Sequence, residues 1–128
     1  MDISSHSVQI IDASLHFLPI EMRVPLKFGS QVLTKVVCAR ACLKVQRTDG
    51  KTAVGWGETP LIVGWVWPST IDYKARESAL QTFTKTLTRE FRQFPCQGHA
   101  LAIGHSFMET RLLDLQSAFN AEREESHH

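Results

Sequence analysis

The apolar residues of this chain change period once, and that single change limits the folds open to it. Up to about residue 58 they alternate with polar residues, the period of a strand with one covered face. From about residue 69 they recur every three to four residues, the period of a helix with one covered face. Strands that all precede helices point to an α+β fold, whereas a doubly wound parallel sheet needs the two to alternate. The expectation is a three-stranded antiparallel meander followed by an α-helical bundle.

The strands are expected at about residues 8–18, 32–47 and 51–58. Ile11, Ala13, Leu15 and Phe17 share one face of the first, with Asp12, Ser14 and His16 opposite. In the second, Val37, Ala39, Ala41, Leu43 and Val45 oppose Cys38, Arg40, Cys42, Lys44 and Gln46. Asp49-Gly50 then suits a two-residue type I′ turn, in which both central residues take positive φ. Pro19 and Pro25 break the pattern after the first strand, so residues 23–30 read as a loop. Residues 59–68 form an apolar stretch without a clean period.

Two helices are expected at about residues 69–93 and 106–122. Ile71, Ala75, Ala79, Phe83, Leu87 and Phe91 step by four along the first, with a Ser69 or Thr70 cap. Ser106 and Glu109 fit a capping box at the start of the second, where Met108, Leu112, Leu115 and Phe119 make one stripe. Residues 8–120 thus form one domain, between a flexible N-terminus at 1–7 and a frayed tail at 121–128.

A net charge of +1, with Lys and Arg scattered, gives no basic patch for nucleic acid. No window approaches the ~18 consecutive apolar residues of a membrane helix, and no secretory signal opens the chain, so a cytoplasmic protein is expected. On one strand Cys38 and Cys42 would lie ~13 Å apart, beyond the reach of a disulfide. Reduced thiols are expected at Cys38, Cys42 and Cys96.

A set of local signals now lines up. Arg23-Val24-Pro25-Leu26 is followed by a strand, by Asp49-Gly50, and by Gly55-Trp56-Gly57-Glu58-Thr59-Pro60. In that order they resemble the N-terminal capping domain of the enolase superfamily, of the mandelate racemase/muconate lactonizing enzyme type. The resemblance spans about residues 10–119. It implies an isomerase or lyase that removes the proton α to a carboxylate, with Mg²⁺ stabilising the enediolate. It also implies that the metal ligands and bases lie in a (β/α) barrel that follows the cap. A barrel needs roughly 200 residues or more, so the 128 residues here are expected to carry no catalytic residue, no metal ligand and no cofactor of their own.

By the same resemblance, two segments of the cap cover the barrel mouth and set specificity. Matched by position, they contain Lys27, Phe28 and Gly29 in the first and Leu61, Trp65 and Trp67 in the second. The implied partners are the missing barrel, a small carboxylate substrate and further copies of the same chain. The residues alone also admit a free-standing α+β binding or dimerisation module. Glu58 lacks a second carboxylate at a useful spacing and reads as structural. His99 and His105 lack a third ligand, so neither reads as a metal site.

Overall fold

The computed structural model describes residues 6–125. Its class is α+β: strands β1 (Val8–Phe28), β2 (Gln31–Arg47) and β3 (Thr52–Leu61) come first. A one-turn helix α1 (Val63–Val66), helix α2 (Tyr73–Arg92), a two-residue strand β4 (Gln97–Gly98) and helix α3 (Ala100–Phe107) follow. A π-helical turn (Met108–Leu112) then leads into α4 (Leu113–Glu125). The expected N-terminal segment lies largely outside the described residues, as do residues 126–128 of the expected tail. The rest of that tail is helical, because α4 continues to Glu125.

The sheet is antiparallel in the order β3-β2-β1-β4. β4 adds a fourth strand that the sequence pattern does not announce, pairing Val8 with Gly98 and Gln9 with Gln97. Two residues are too short to display a period.

Both hairpin turns differ from expectation. Arg47 N donates to Lys51 O at 2.8 Å and Gly50 N donates to Arg47 O at 3.0 Å. Of the turn residues only Gly50 has positive φ, at 87°. This is a three-residue loop with a glycine in the left-handed region at its end, in place of a two-residue type I′ turn. Asp49 holds it by accepting from Lys51 N and from Arg47 Nη2. The second difference is larger. Residues 23–30, expected as a loop, belong mostly to β1, where Leu26, Lys27 and Phe28 pair with Leu33, Val32 and Gln31. The register shifts between Glu21 and Leu26, and this irregularity takes up Pro25, which cannot donate to a ladder. Gly29, with φ of 62°, and Ser30 close the hairpin.

α2 lies between the sheet and the later helices. On its sheet side, Lys85 sits over the Phe17 ring at 5.7 Å and Arg92 pairs with Asp12 at 2.9 Å. Ala13, Ala39 and Ala79 are buried. On the other side Phe91 meets Phe107 edge-on with centroids 5.0 Å apart, and Phe83 meets Phe119 at 4.8 Å. The cap of α2 is Asp72, which accepts from Ala75 N at 3.2 Å, and the helix starts at Tyr73, four residues later than expected.

The last helical segment starts six residues earlier than expected, at Ala100, with His99 Nδ1 accepting from Leu101 N. Ser106 and Glu109 therefore lie inside helical structure and form no capping box. Met108 is 59% exposed and Phe107 takes its place in the stripe, whereas Leu112, Leu115 and Phe119 lie half-buried on the expected face. From Phe107 the next inward residue is Leu112, five positions on. The π-helical turn spans that step with its wider winding.

Candidate functional site

At one end of the sheet two segments far apart in sequence come together. One is the tip of the β1–β2 hairpin. The other is α1, which follows β3 after Ile62, itself extended at φ −85° and ψ 91°. Val63 anchors α1, being only 1% exposed. Gly64 then lies against the Gln31 amide: a Cβ at Gly64 would stand 2.7 Å from Gln31 Oε1. Any larger residue would push that amide out of place, so glycine permits the contact.

Two clefts open on either side of the Gln31–Gly64 contact. The first, of about 480 Å³, is lined by Leu26, Gly29, Ser30, Gln31, Gly64 and Trp65. Its wall is mainly apolar, and Trp65 is 73% exposed at its rim. The second, of about 390 Å³, runs from Gln31 to the first turn of α2, with Ser69, Tyr73 and Arg76 among its lining residues.

The residues singled out by the sequence divide as follows. Gly29 and Trp65 line the first cleft. Lys27 precedes Phe28 on the strand, so alternation turns its side chain to the face opposite Leu26, and it does not line the cleft. The Phe28 side chain lies outside the described residues. Leu61 pairs with Val37 at the end of β3. Trp67 turns inward: its ring meets Phe119 at 6.5 Å and its carbonyl accepts from Arg76 Nη1 at 2.7 Å. Arg76, Tyr73 and Gln31 are not singled out by the sequence. Their signal is faint, a Tyr and an Arg three apart at the start of an amphipathic helix.

A polar group occupies the sheet face turned away from α2. Arg40 Nε donates to Glu58 Oε2 at 2.7 Å, joining cross-strand partners. That hydrogen bond holds the Glu58 carboxyl below the usual carboxylate range. Burial pushes the Cys38 thiol up, and the neighbouring Glu58 carboxylate adds to the shift. A raised thiol pKa disfavours the thiolate, so Cys38 is placed as an inert buried thiol. Near it, the His16 and Trp56 rings lie 6.2 Å apart. Cys38, Cys42 and Cys96 are all free thiols.

No family model, curated protein or solved structure matches the chain. Among the described residues no three His, Cys, Asp or Glu side chains come together as a metal site, and no helix is long and apolar enough to cross a membrane. What the arrangement offers chemically is two adjoining clefts: one apolar with a tryptophan at its rim, the other carrying a single guanidinium.

Proposed function

We propose that this chain is the capping, substrate-specificity domain of an enzyme of the enolase-superfamily type, in the mandelate racemase/muconate lactonizing group. On this reading it covers a (β/α) barrel that removes the proton α to a carboxylate in the cytoplasm, as a racemase, epimerase, cycloisomerase or dehydratase. The finer fold assignment, a meander of β1, β2 and β3 followed by a helical bundle, is part of the same proposal.

One observation carries it. The hairpin tip and α1, far apart in sequence, meet in a single apolar cleft at one end of the sheet. A cap needs two such segments side by side, because closing a site from one side only leaves the other open to water. Excluding water strengthens the electrostatic stabilisation of a developing enediolate. Leu26, Gly29 and Trp65 would contact the part of the substrate remote from the reacting carbon. The described residues do not assemble a Mg²⁺ site. The ion's ligands would come from the barrel, where it would supply charge stabilisation at the carboxylate. The role of this chain is confined to closure and to contacts with the substrate.

The test is the coding sequence downstream of His128. It is expected to encode strands ending in Asp or Glu and a Lys-x-Lys or equivalent base. A downstream sequence without them overturns the cap reading.

A second reading, a free-standing dimerisation module, is favoured by β3. This edge strand pairs with β2 over ten residues without a register shift, and residues 52–60 are all exposed. Such an edge is a template for another strand. Light scattering on the 128-residue chain separates the two. A well-folded dimer supports the module, and an aggregating or dye-binding state supports an orphaned cap.

A further inference from the structure

The guanidinium of Arg76 sits beside the second cleft in an unusual state. Its Nη1 donates to the Trp67 carbonyl at 2.7 Å, and its buried Nε has no hydrogen-bond partner. Among the described residues no carboxylate lies within 4.0 Å of Arg76. Arg23, Lys27, Lys44, Lys51, Lys74, Lys85 and Arg89 share that property but are exposed, whereas Arg76 is half-buried. The acids nearest in sequence are otherwise engaged. Asp72 caps α2, and Glu77 accepts from Gln81 Nε2 at 3.3 Å. Among the described residues no acid lines the cleft. A partly buried cation with an unpaired donor is costly to maintain unless something supplies the counter-charge.

We propose that the Arg76 cleft binds the carboxylate of a small organic acid with an apolar body. With Nη1 committed to Trp67 and Nε buried, Nη2 is the guanidinium nitrogen left to donate to a carboxylate oxygen. The Arg76 guanidinium lies 5.9 Å from the Tyr73 ring centroid, and the Tyr73 and Ser69 hydroxyls add donors on the same cleft wall. Val32, Leu33, Ile62, Val63 and Pro68 supply apolar surface for the rest of the ligand. The cleft's volume of about 390 Å³ falls within the usual range for small-ligand sites. One guanidinium balances one negative charge. A phosphate dianion would leave excess charge in a cleft with no second cation, so a monoanionic carboxylate is the better fit.

Identifying this ligand as substrate rests on the cap reading, in which the Arg76 cleft adjoins the lid cleft across Gln31 and Gly64. A substrate spanning both would carry a second acid group at its distal end, which narrows the class to dicarboxylic acids. Binding is measured on the 128-residue chain, or on the chain together with its downstream barrel where the chain alone aggregates. Benzoate is titrated in and followed by amide NMR shifts, with inorganic phosphate and benzyl alcohol as comparison probes.

The expected result is saturable benzoate binding that shifts resonances around Tyr73 and Arg76, with both comparison probes weaker. Arg76→Gln weakens it by about tenfold or more, as loss of a charged hydrogen-bonding partner does. Tyr73→Phe weakens it by a smaller factor, and Arg92→Gln, whose partner is Asp12, leaves it unchanged. Arg76→Gln also removes the donor to Trp67. Should that variant fail to fold, Arg76→Lys keeps the charge and loses the Nη2 donor, and its reduced affinity tests the same contact. Folded wild-type protein that does not bind benzoate, or prefers phosphate, overturns the proposal. So does benzoate affinity that is unchanged in the folded Arg76 variant. Binding through Arg76 with no barrel encoded downstream would remove the cap reading and leave the site standing; a barrel without binding would do the reverse.

Discussion

Strands β1 and β3 flank the same central strand, yet they live in different environments. β1 runs under α2, with Ala13 buried, Phe17 against Lys85 and Asp12 paired to Arg92. β3 lies open: its residues from Thr52 to Pro60 are all exposed, Trp56 by 63% and Val54 by 58%. Area removed from water scales with stabilisation, so the free energy of this fold is concentrated on the β1 side. β3 contributes its ladder to β2 and its ion pair with Arg40, and otherwise offers surface. One half of the sheet holds the molecule together and the other half is open to a partner.

Truncating one aromatic in the helical layer that covers β1, and one on β3, puts that contrast to its hardest test. Phe107 is 7% exposed and meets Phe91 and Phe94 edge-on at 5.0 and 5.3 Å. Phe107→Ala leaves a cavity where α2 and α3 meet, at a cost of about 3–5 kcal/mol. That is a large share of the ~5–15 kcal/mol available to a domain of ordinary stability. Urea denaturation is expected to show the midpoint collapse, or no cooperative transition at all. Trp56→Ala removes a larger side chain and is expected to cost less than about 1 kcal/mol. Equal costs would mean that β3 is covered in solution, and the contrast would fail.

The second effect is on association. A strand edge resists pairing when it carries a charge, Lys especially. Val54→Lys is therefore expected to leave the unfolding midpoint within about 0.5 kcal/mol of the parent. If β3 pairs with a second copy, the same substitution shifts the mass measured by light scattering towards the monomer. A dimer unaffected by a lysine at the third residue of β3 would place its interface elsewhere.

The legibility of the two halves follows the same physics. β2 can be read from sequence because one of its faces is apolar throughout, from Val37 to Val45, and alternation is the imprint of burial on one side. The extension of β1 through Arg23–Phe28 is hidden because it buries little and contains Pro25, so only Gly29-Ser30 hints at a hairpin. The first member of the last apolar stripe is misplaced by one residue for another reason. A π-helical turn inserts a five-residue step, and a search at constant period passes over Phe107 in favour of Met108. The apolar cleft is partly legible, through Gly29 and Trp65. The Arg76 cleft is not, since its defining property is the lack of a carboxylate partner, and sequence does not record which acids are already engaged.

The smallest expected effect is a change in pH dependence on the open side. Glu58 is held below its ordinary pKa by the hydrogen bond from Arg40. A carboxyl with a depressed folded-state pKa adds stability above its unfolded pKa and loses it as pH falls through the folded value. Glu58→Gln should therefore flatten part of the acid limb of a stability–pH profile, and only part, because the pair is exposed to solvent and screened. Cys38 makes the opposite limb. Its raised pKa adds stability below the ordinary thiol range and loses it as pH rises through the folded value. Because the Glu58 carboxylate contributes to that shift, Glu58→Gln should also lower the Cys38 pKa towards the ordinary thiol value. Labelling with a thiol reagent across alkaline pH reads this directly. In the parent protein Cys38 should react more slowly than Cys42 and Cys96, and in Glu58→Gln its reaction should begin at lower pH. If the Cys38 rate is unchanged in the variant, burial alone governs the thiol. The open face would then hold two independent groups, with no electrostatic link between Cys38 and Glu58.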